Sequence, residues 1–289
     1  MQPLIRIATG TASATLLAFA SNVRADVVET RELAETIAVP AGAPLVVTVK
    51  NIIGPIRVTG HDGNSVEMHA TETVRGDLQA DVARARAQMQ LRTESEPGRV
   101  AIRVRSIGED GAPCNNNCRG GSWDGWDGYS VEYDIEVRVP RGATLDVATV
   151  NDGDVTVEDV DGTFELKNVN GAVRLVRAGG SGSVRTVNGD VDASFARAPS
   201  EPLSFQTVNG ELDVTFPANL SAELAFHTMQ GDVFTDFDVE SLSDPPEVRR
   251  DRGRFVMNMN RTSAFRVGAG GDRHSFNTLN GDILVRKAN

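Results

Sequence analysis

The stretch Thr186-Val187-Asn188-Gly189-Asp190-Val191 is one of six near-copies of a single phrase. The others are Thr149-Val150-Asn151-Asp152-Gly153-Asp154-Val155, Asn168-Val169-Asn170-Gly171-Ala172-Val173 and Thr207-Val208-Asn209-Gly210-Glu211-Leu212. Thr228-Met229-Gln230-Gly231-Asp232-Val233 and Thr278-Leu279-Asn280-Gly281-Asp282-Ile283 complete the set. Such a repeat sets the architecture, because each copy buries its apolar face only against a neighbouring copy.

The phase is set by Gly153, Gly162, Gly171, Gly180 and Gly189, spaced by nine residues. Two residues after each Gly stands Val155, Phe164, Val173, Gly182 or Val191. Four after it stands Val157, Leu166, Leu175, Val184 or Ala193, and seven after it Val160, Val169, Ala178, Val187 or Ala196. Apolar and polar residues alternate after each turn, which is the signal of a strand with one buried face. Each Gly is expected to supply the positive φ of a tight corner.

Two kinds of corner alternate. Asp152, Asn170 and Asn188 precede the glycine at one, Asp161 and Gly179 at the other, so the full period is eighteen residues. It lengthens to twenty-one from Gly189 to Gly210 to Gly231. Two strands per period, stacked turn on turn, make a β-solenoid. Asn-Gly between alternating strands is also a hairpin signal, which would give an antiparallel meander or sandwich. Stacked rungs require equivalent positions to keep one residue class, as they do here; a meander does not. The fold class expected is all-β, a β-helix-like stack of short strands with Asn-Gly turns.

The net charge is −11. A surface of that sign repels phosphate backbones and anionic head groups, so nucleic acid is not an expected partner. Residues 1–25 read as a signal peptide. Arg6 precedes the apolar run Ile7–Ala20, and Ala18-x-Ala20 and Val23-x-Ala25 are small-residue cleavage sites. No second apolar span follows, so residues 26–289 are expected as one exported domain, periplasmic or at the cell surface, with no membrane span. Its regular repeats cover 145–285.

Before the repeats, strands are expected at Leu45–Val49, Ser65–Ala70, Arg99–Arg105 and Val131–Val139. Asn51–Gly60 reads as a degenerate early unit. Asp77–Leu91 differs: Leu78, Val82, Ala85 and Met89 fall at helical spacing, predicting one amphipathic helix that covers an open edge or end of the stack. A Gly-rich insertion over 107–130 holds Cys114 and Cys118, then Trp123, Trp126 and Tyr129. In an oxidising compartment the cysteine pair is expected to close a local disulfide. The aromatics are candidates for stacking on a sugar or anchoring a protein partner, or else for capping the solenoid. After Gly231 the repeat breaks. Strands near Phe255–Met259 and Ala264–Val267 are expected to bridge to the last unit.

This order of signals resembles the bacterial putative-adhesin β-strand-repeat family, domain of unknown function 4097. The features are N-x-x-G-x-I-x-V-x-G at Asn51–Gly60, the short helix, the step Ile135-Glu136-Val137-Arg138-Val139-Pro140-Arg141-Gly142, and the T-V-N-G-D-V units. The likeness spans roughly Val46 to Val285. It implies an exported solenoid-like protein and brings no catalytic residues.

The sequence holds no G-x-S-x-G elbow, H-E-x-x-H or Walker loop, and His61, His69, His227 and His274 are scattered. No catalytic residue, cofactor or metal is therefore expected. The acids after the turn, Asp154, Asp190, Glu211, Asp232 and Asp282, form a ladder if rungs stack. The segment nearest a calcium-binding nonapeptide, Gly179-Gly180-Ser181-Gly182-Ser183-Val184, lacks the ligand Asp. The expected function is a non-catalytic cell-envelope protein, adhesin-like or scaffolding, that binds an envelope protein or glycan. The alternatives are a polysaccharide-active β-helix enzyme and a purely structural oligomer former.

Overall fold

The computed structural model describes residues 26–107, 128–242, 248–251, 254–258 and 263–288. The N-terminal block contains β1 (Val27–Ala38), β2 (Val46–Lys50), β3 (Ile56–His61), β4 (Ser65–Gly76), α1 (Gln79–Gln88), β5 (Met89–Glu96), β6 (Arg99–Ser106) and β7 (Tyr129–Pro140). The repeat follows as β8 (Thr144–Ala148), β9 (Val155–Glu158), β10 (Phe164–Lys167), β11 (Val173–Ala178), β12 (Gly182–Arg185) and β13 (Val191–Phe195). Then come β14 (Leu203–Gln206), β15 (Leu212–Phe216), β16 (Ala222–Gln230) and β17 (Asp232–Thr235). The chain closes with β18 (Val239–Ser241), β19 (Val248–Asp251), β20 (Arg254–Asn258), β21 (Ser263–Val267), β22 (Arg273–Asn280) and β23 (Ile283–Lys287).

The strands form two sheets facing each other across one core. Each rung gives one strand to each sheet, and rungs pair in parallel, as in β10 with β8 and β12, or β11 with β9 and β13. The stacked solenoid is therefore the architecture, and the antiparallel meander is not. Strand alternation puts Val155, Val157, Leu166, Val173, Leu175, Val184 and Val191 inside, all at most 1% exposed. From Phe195 onward the interior becomes aromatic. Phe205, Phe276 and Phe226 occupy matching positions on three successive rungs, with centroids 5.3 and 5.2 Å apart. Each such contact adds about 0.5–1.5 kcal/mol to the burial itself.

Rungs do not stack in chain order. One sheet runs β1-β4-β7-β3-β9-β11-β13-β15-β23-β17-β20-β19 and the other β18-β21-β16-β22-β14-β12-β10-β8-β2-β6-β5. The last unit, β22–β23, lies between β14–β15 and β16–β17, paired in parallel on both sides. Likewise β2–β3 lies between β6–β7 and β8–β9. The break after Gly231 is thus an excursion that returns the chain to an inner slot. Both flanks of a terminal strand are satisfied there, which ties the terminus down.

The ends of the stack switch to antiparallel pairing: β1, β4 and β7 with β5–β6 at one end, β20–β19 and β21–β18 at the other. The outer strand β1, which the sequence reading did not anticipate, carries Glu29, Arg31, Glu32 and Glu35. Charge of this density keeps an edge from pairing with another chain. The helix is shorter than the expected Asp77–Leu91. Val82, Ala85 and Met89 are buried, but Leu78 is 48% exposed. Leu78 is the N-cap, with φ −137° and ψ 158°, so it turns off the helical stripe. Below α1 lies the fully buried Glu72. It accepts from Arg31 Nη2 at 2.9 Å, Arg86 Nε at 3.0 Å and the Tyr133 hydroxyl at 2.8 Å. Burial, then the bond to Glu72, pushes the Tyr133 hydroxyl pKa up. A buried carboxylate is tolerated only with partners of this kind.

Candidate functional site

At one corner of the solenoid the T-V-N-G-D phrases come into register, and each position has its own task. The Thr is inside. Thr149, Thr186 and Thr207 donate from Oγ1 to the carbonyls of Gly54, Gly171 and Gly189, each at 2.9 Å. In the variant unit Asn168 does the same, its Nδ2 reaching Gly153 O at 2.9 Å. These bonds satisfy carbonyls that the bend takes out of the sheet ladder. The Asn side chains form a ladder along the outside. Asn170 Nδ2 donates to Asn151 Oδ1 at 2.7 Å, Asn188 to Asn170 at 2.8 Å, Asn209 to Asn188 at 2.9 Å and Asn280 to Asn209 at 2.7 Å.

The glycine is fixed by close approach as well as by torsion. Gly189 has φ 159°, and a Cβ there would stand 2.2 Å from Gly171 O. Gly180, at the opposite corner, has no positive φ, yet its Cβ would stand 2.0 Å from Gly162 O. The expectation of a positive φ at every repeat glycine holds for Gly171, Gly189, Gly210, Gly231 and Gly281 but not for Gly153, Gly162 and Gly180. At those three, the carbonyl of the adjoining rung or turn excludes a side chain.

The residue between Thr and Asn points outward. Val150, Val169, Val187, Leu279 and Met229 are 37, 37, 39, 40 and 62% exposed, and Val208 is half-buried. Backbone bonds from Asn170 N to Val150 O, Asn188 N to Val169 O, Asn209 N to Val187 O and Asn280 N to Val208 O place them side by side. The result is an apolar ridge over six rungs, about 24 Å long at ~4.8 Å per rung. Sequence reasoning missed this ridge, although strand parity carries it. From buried Leu166, alternation makes Lys167 outward, Asn168 inward and Val169 outward.

Three residues further on, or four in the first unit with its extra Asp152, stand Asp154, Ala172, Asp190, Glu211, Asp282 and Asp232, in rung order. The expected acid ladder exists, interrupted at Ala172. Asp154, Asp190 and Asp282 each accept the backbone N–H of the next rung through Oδ1, at 2.9, 2.8 and 2.8 Å. Asp154 also pairs with Arg174 at 2.7 Å. Among the described residues, Asp190, Glu211, Asp282 and Asp232 have no ion-pair partner. Burial, then the charges of Asp213, Asp282 and Asp190, raises the pKa of Glu211. No group of three or more His, Cys, Asp or Glu among the described residues is placed to hold a metal ion.

The opposite corner is built differently. Arg177 clasps Asp159 through Nε at 2.9 Å and Nη2 at 2.7 Å, and Arg197 pairs with Asp161 at 2.9 Å. The Arg177 bond holds the Asp159 carboxyl below its usual range. Val160 and Ala178, which occupy the same place in the nine-residue unit as Val169 and Val187, are buried here. Beside this corner a cleft of about 480 Å³ is lined by Pro40, His61, Asp62, Pro140 and Arg141, among others. Its polar groups are already engaged: Arg141 with Asp62, and His61 with Gly63 N and Ser65 O.

Cys114, Cys118, Trp123 and Trp126 lie outside the described residues. Tyr129 opens β7 and is buried, its hydroxyl donating to Gln88 Oε1 at 2.5 Å with Arg84 over its ring. It joins α1 to β7 and packs inward, as the capping alternative for this residue has it. His274 is fully buried. Its Nδ1 accepts from Leu203 N at 3.2 Å, its ring stacks on Phe216 at 5.7 Å, and its Nε2 has no partner among the described residues.

Residues 132–253 match the family model Toastrack DUF4097. The chain carries a DUF4097 toastrack domain. Among solved structures it is similar to a "putative cell adhesion protein" from Clostridium sporogenes ATCC 15579. That match has 9% identity, covers 90% of this chain and 100% of the other, and has a TM-score of 0.43. It is also similar to a "putative adhesin" from Bacteroides fragilis NCTC 9343. There the identity is 11%, the coverage 89% and 97%, and the TM-score 0.37. No curated protein matches this chain.

Proposed function

We propose that this toastrack protein is a non-catalytic, exported cell-envelope protein, adhesin-like or scaffolding, that binds a protein or glycan partner along its solenoid. One observation supports the reading most. The T-V-N-G-D corner presents like side chains on consecutive rungs, apolar, amide and acidic, with the apolar ones left in solvent. A contiguous exposed apolar feature rimmed by polar groups is characteristic of an interaction surface. The signal-like segment 1–25 supports export.

The test is a binding screen of residues 26–289 against cell-envelope glycans and envelope fractions, with Trp123→Ala/Trp126→Ala beside the wild type. Saturable binding to one glycan or envelope component is the expected result. Its loss in the double variant would put the contact on the Trp loop, and its retention would put it on the solenoid. Failure to bind any glycan or envelope fraction would contradict the reading.

A further inference from the structure

Four rungs of the ladder corner combine two features that the rest of the corner lacks together. Val187, Val208, Leu279 and Met229 stand in line, three of them well exposed, and the ridge widens from Val to Leu to Met. On the same four rungs stand Asp190, Glu211, Asp282 and Asp232, the carboxylates without an ion-pair partner among the described residues. Ridge and acid row are three residues apart on every rung, so their Cα atoms lie within about 11 Å. The Asn ladder runs between them, its amides spent on one another.

We infer that this face docks a cationic amphipathic segment of a partner protein, apolar side chains on the ridge and Lys or Arg across the Asn ladder on the acid row. The inference deepens the binding reading above and rests on it. Charge decides the occupant. A second copy seated ridge to ridge with the two stacks antiparallel would set one acid row against the other, and the net charge of −11 opposes association generally. An anionic lipid surface or nucleic acid is repelled by the same row. A neutral apolar segment would cover the ridge and leave four carboxylates partly desolvated with no counter-charge beyond the backbone N–H that Asp190 and Asp282 each accept, which is costly. A cationic segment covers one and neutralises the other. Complementarity of this kind also speeds encounter and makes it salt-dependent.

The test uses residues 26–289 and three short fluorescent probes: an amphipathic helical peptide of Leu and Lys only, its Leu/Glu counterpart, and an all-Lys peptide. The Leu/Lys probe is expected to bind tightest, by about tenfold over either control, and more weakly at high salt. Leu279→Ser/Met229→Ser should lower its affinity by about tenfold, and Glu211→Gln/Asp232→Asn should weaken the salt dependence. All four side chains are on the surface, and circular dichroism checks that the variants are folded. Arg177→Ser, at the other corner, should change nothing. Equal binding of the Leu/Lys and all-Lys probes, or unchanged affinity in the ridge variant, would overturn the inference. So would a wild-type dimer that the ridge variant abolishes, since the occupant would then be a second copy. A positive envelope screen with no Leu/Lys binding removes this inference and leaves the broader reading standing; an empty screen with ridge-dependent peptide binding does the reverse.

Discussion

The two corners of the solenoid come from the same nine-residue unit and have opposite surfaces. At the Asp159–Asp161 corner the seventh residue after glycine, Val160 or Ala178, folds inward, and the charges pair through Arg177 and Arg197. At the Asn corner the seventh residue, Val169 or Val187, stays in solvent, the amides pair with one another, and the last four acids have no ion-pair partner among the described residues. Stability alone does not call for the second arrangement, since the first shows that the unit can bury its apolar residue. The difference teaches that a repeat can be uniform inside and specialised on one edge.

The sharpest way to break this comparison is at the glycines, where the corners are alike. Gly189→Ala and Gly180→Ala both drive a Cβ to within 2.2 Å of a backbone carbonyl. Each should cost about 3 kcal/mol or more in chemical denaturation. If Gly180→Ala is tolerated, close stacking at the second corner is wrong.

A second test addresses the interior between the corners. Burial depresses the His274 pKa to about 4. The unfolded chain therefore takes up a proton near pH 6.5 that the folded chain refuses until about pH 4. The His274 contribution to stability should fall as pH drops through that window and level off below it. Lowered carboxyl pKa values at Glu29, Glu67 and Asp159 extend the fall to more acid pH, and the raised values at Asp134, Asp192 and Glu211 oppose it. His274→Asn keeps an acceptor for Leu203 N–H and cannot titrate, so it should flatten the slope between pH 4 and 6.5. An unchanged melting profile across that range would show that His274 titrates normally.

The equivalent valines give a smaller, cleaner contrast. Val160→Ala should destabilise by about 1–3 kcal/mol and Val187→Ala by less than about 0.5. Equal effects would erase the distinction between corners. Smallest is the pairing itself. Asn188→Ala removes two ladder bonds and should cost about 1 kcal/mol with little salt dependence. Arg177→Ala should cost little, and that little should vanish in high salt, because its ion pairs are exposed.

Much of this was legible in the sequence. The Gly153–Gly189 spacing and the constant residue classes gave the parallel stack, the eighteen-residue period gave its two corners, and Asn51–Gly60 was read correctly as an early rung. The slot taken by β22–β23 was not legible. A repeat reports which units can be neighbours, and Asn280 fits beside Asn209 or beside Gln230 equally well. Glu72 was hidden for a different reason: its partners Arg31, Arg86 and Tyr133 come from three distant segments, and local patterning records none of them. The exposed ridge was legible but passed over, because Val in an alternating strand is read as core unless parity is counted through the turn. Tyr129 stands close to two Trp residues in the sequence, and only the alternation of its own strand shows that it is buried.

The central claim is that the Asn corner is the contact face and the Asp159–Asp161 corner is not. Once the envelope component that the wild type binds has been isolated, its affinity should be measured for Val187→Ser/Leu279→Ser/Met229→Ser and for Asp159→Ser/Arg177→Ser/Arg197→Ser. The account predicts a loss of about tenfold or more in the first and wild-type affinity in the second. Retained binding in the first, or loss confined to the second, would contradict it.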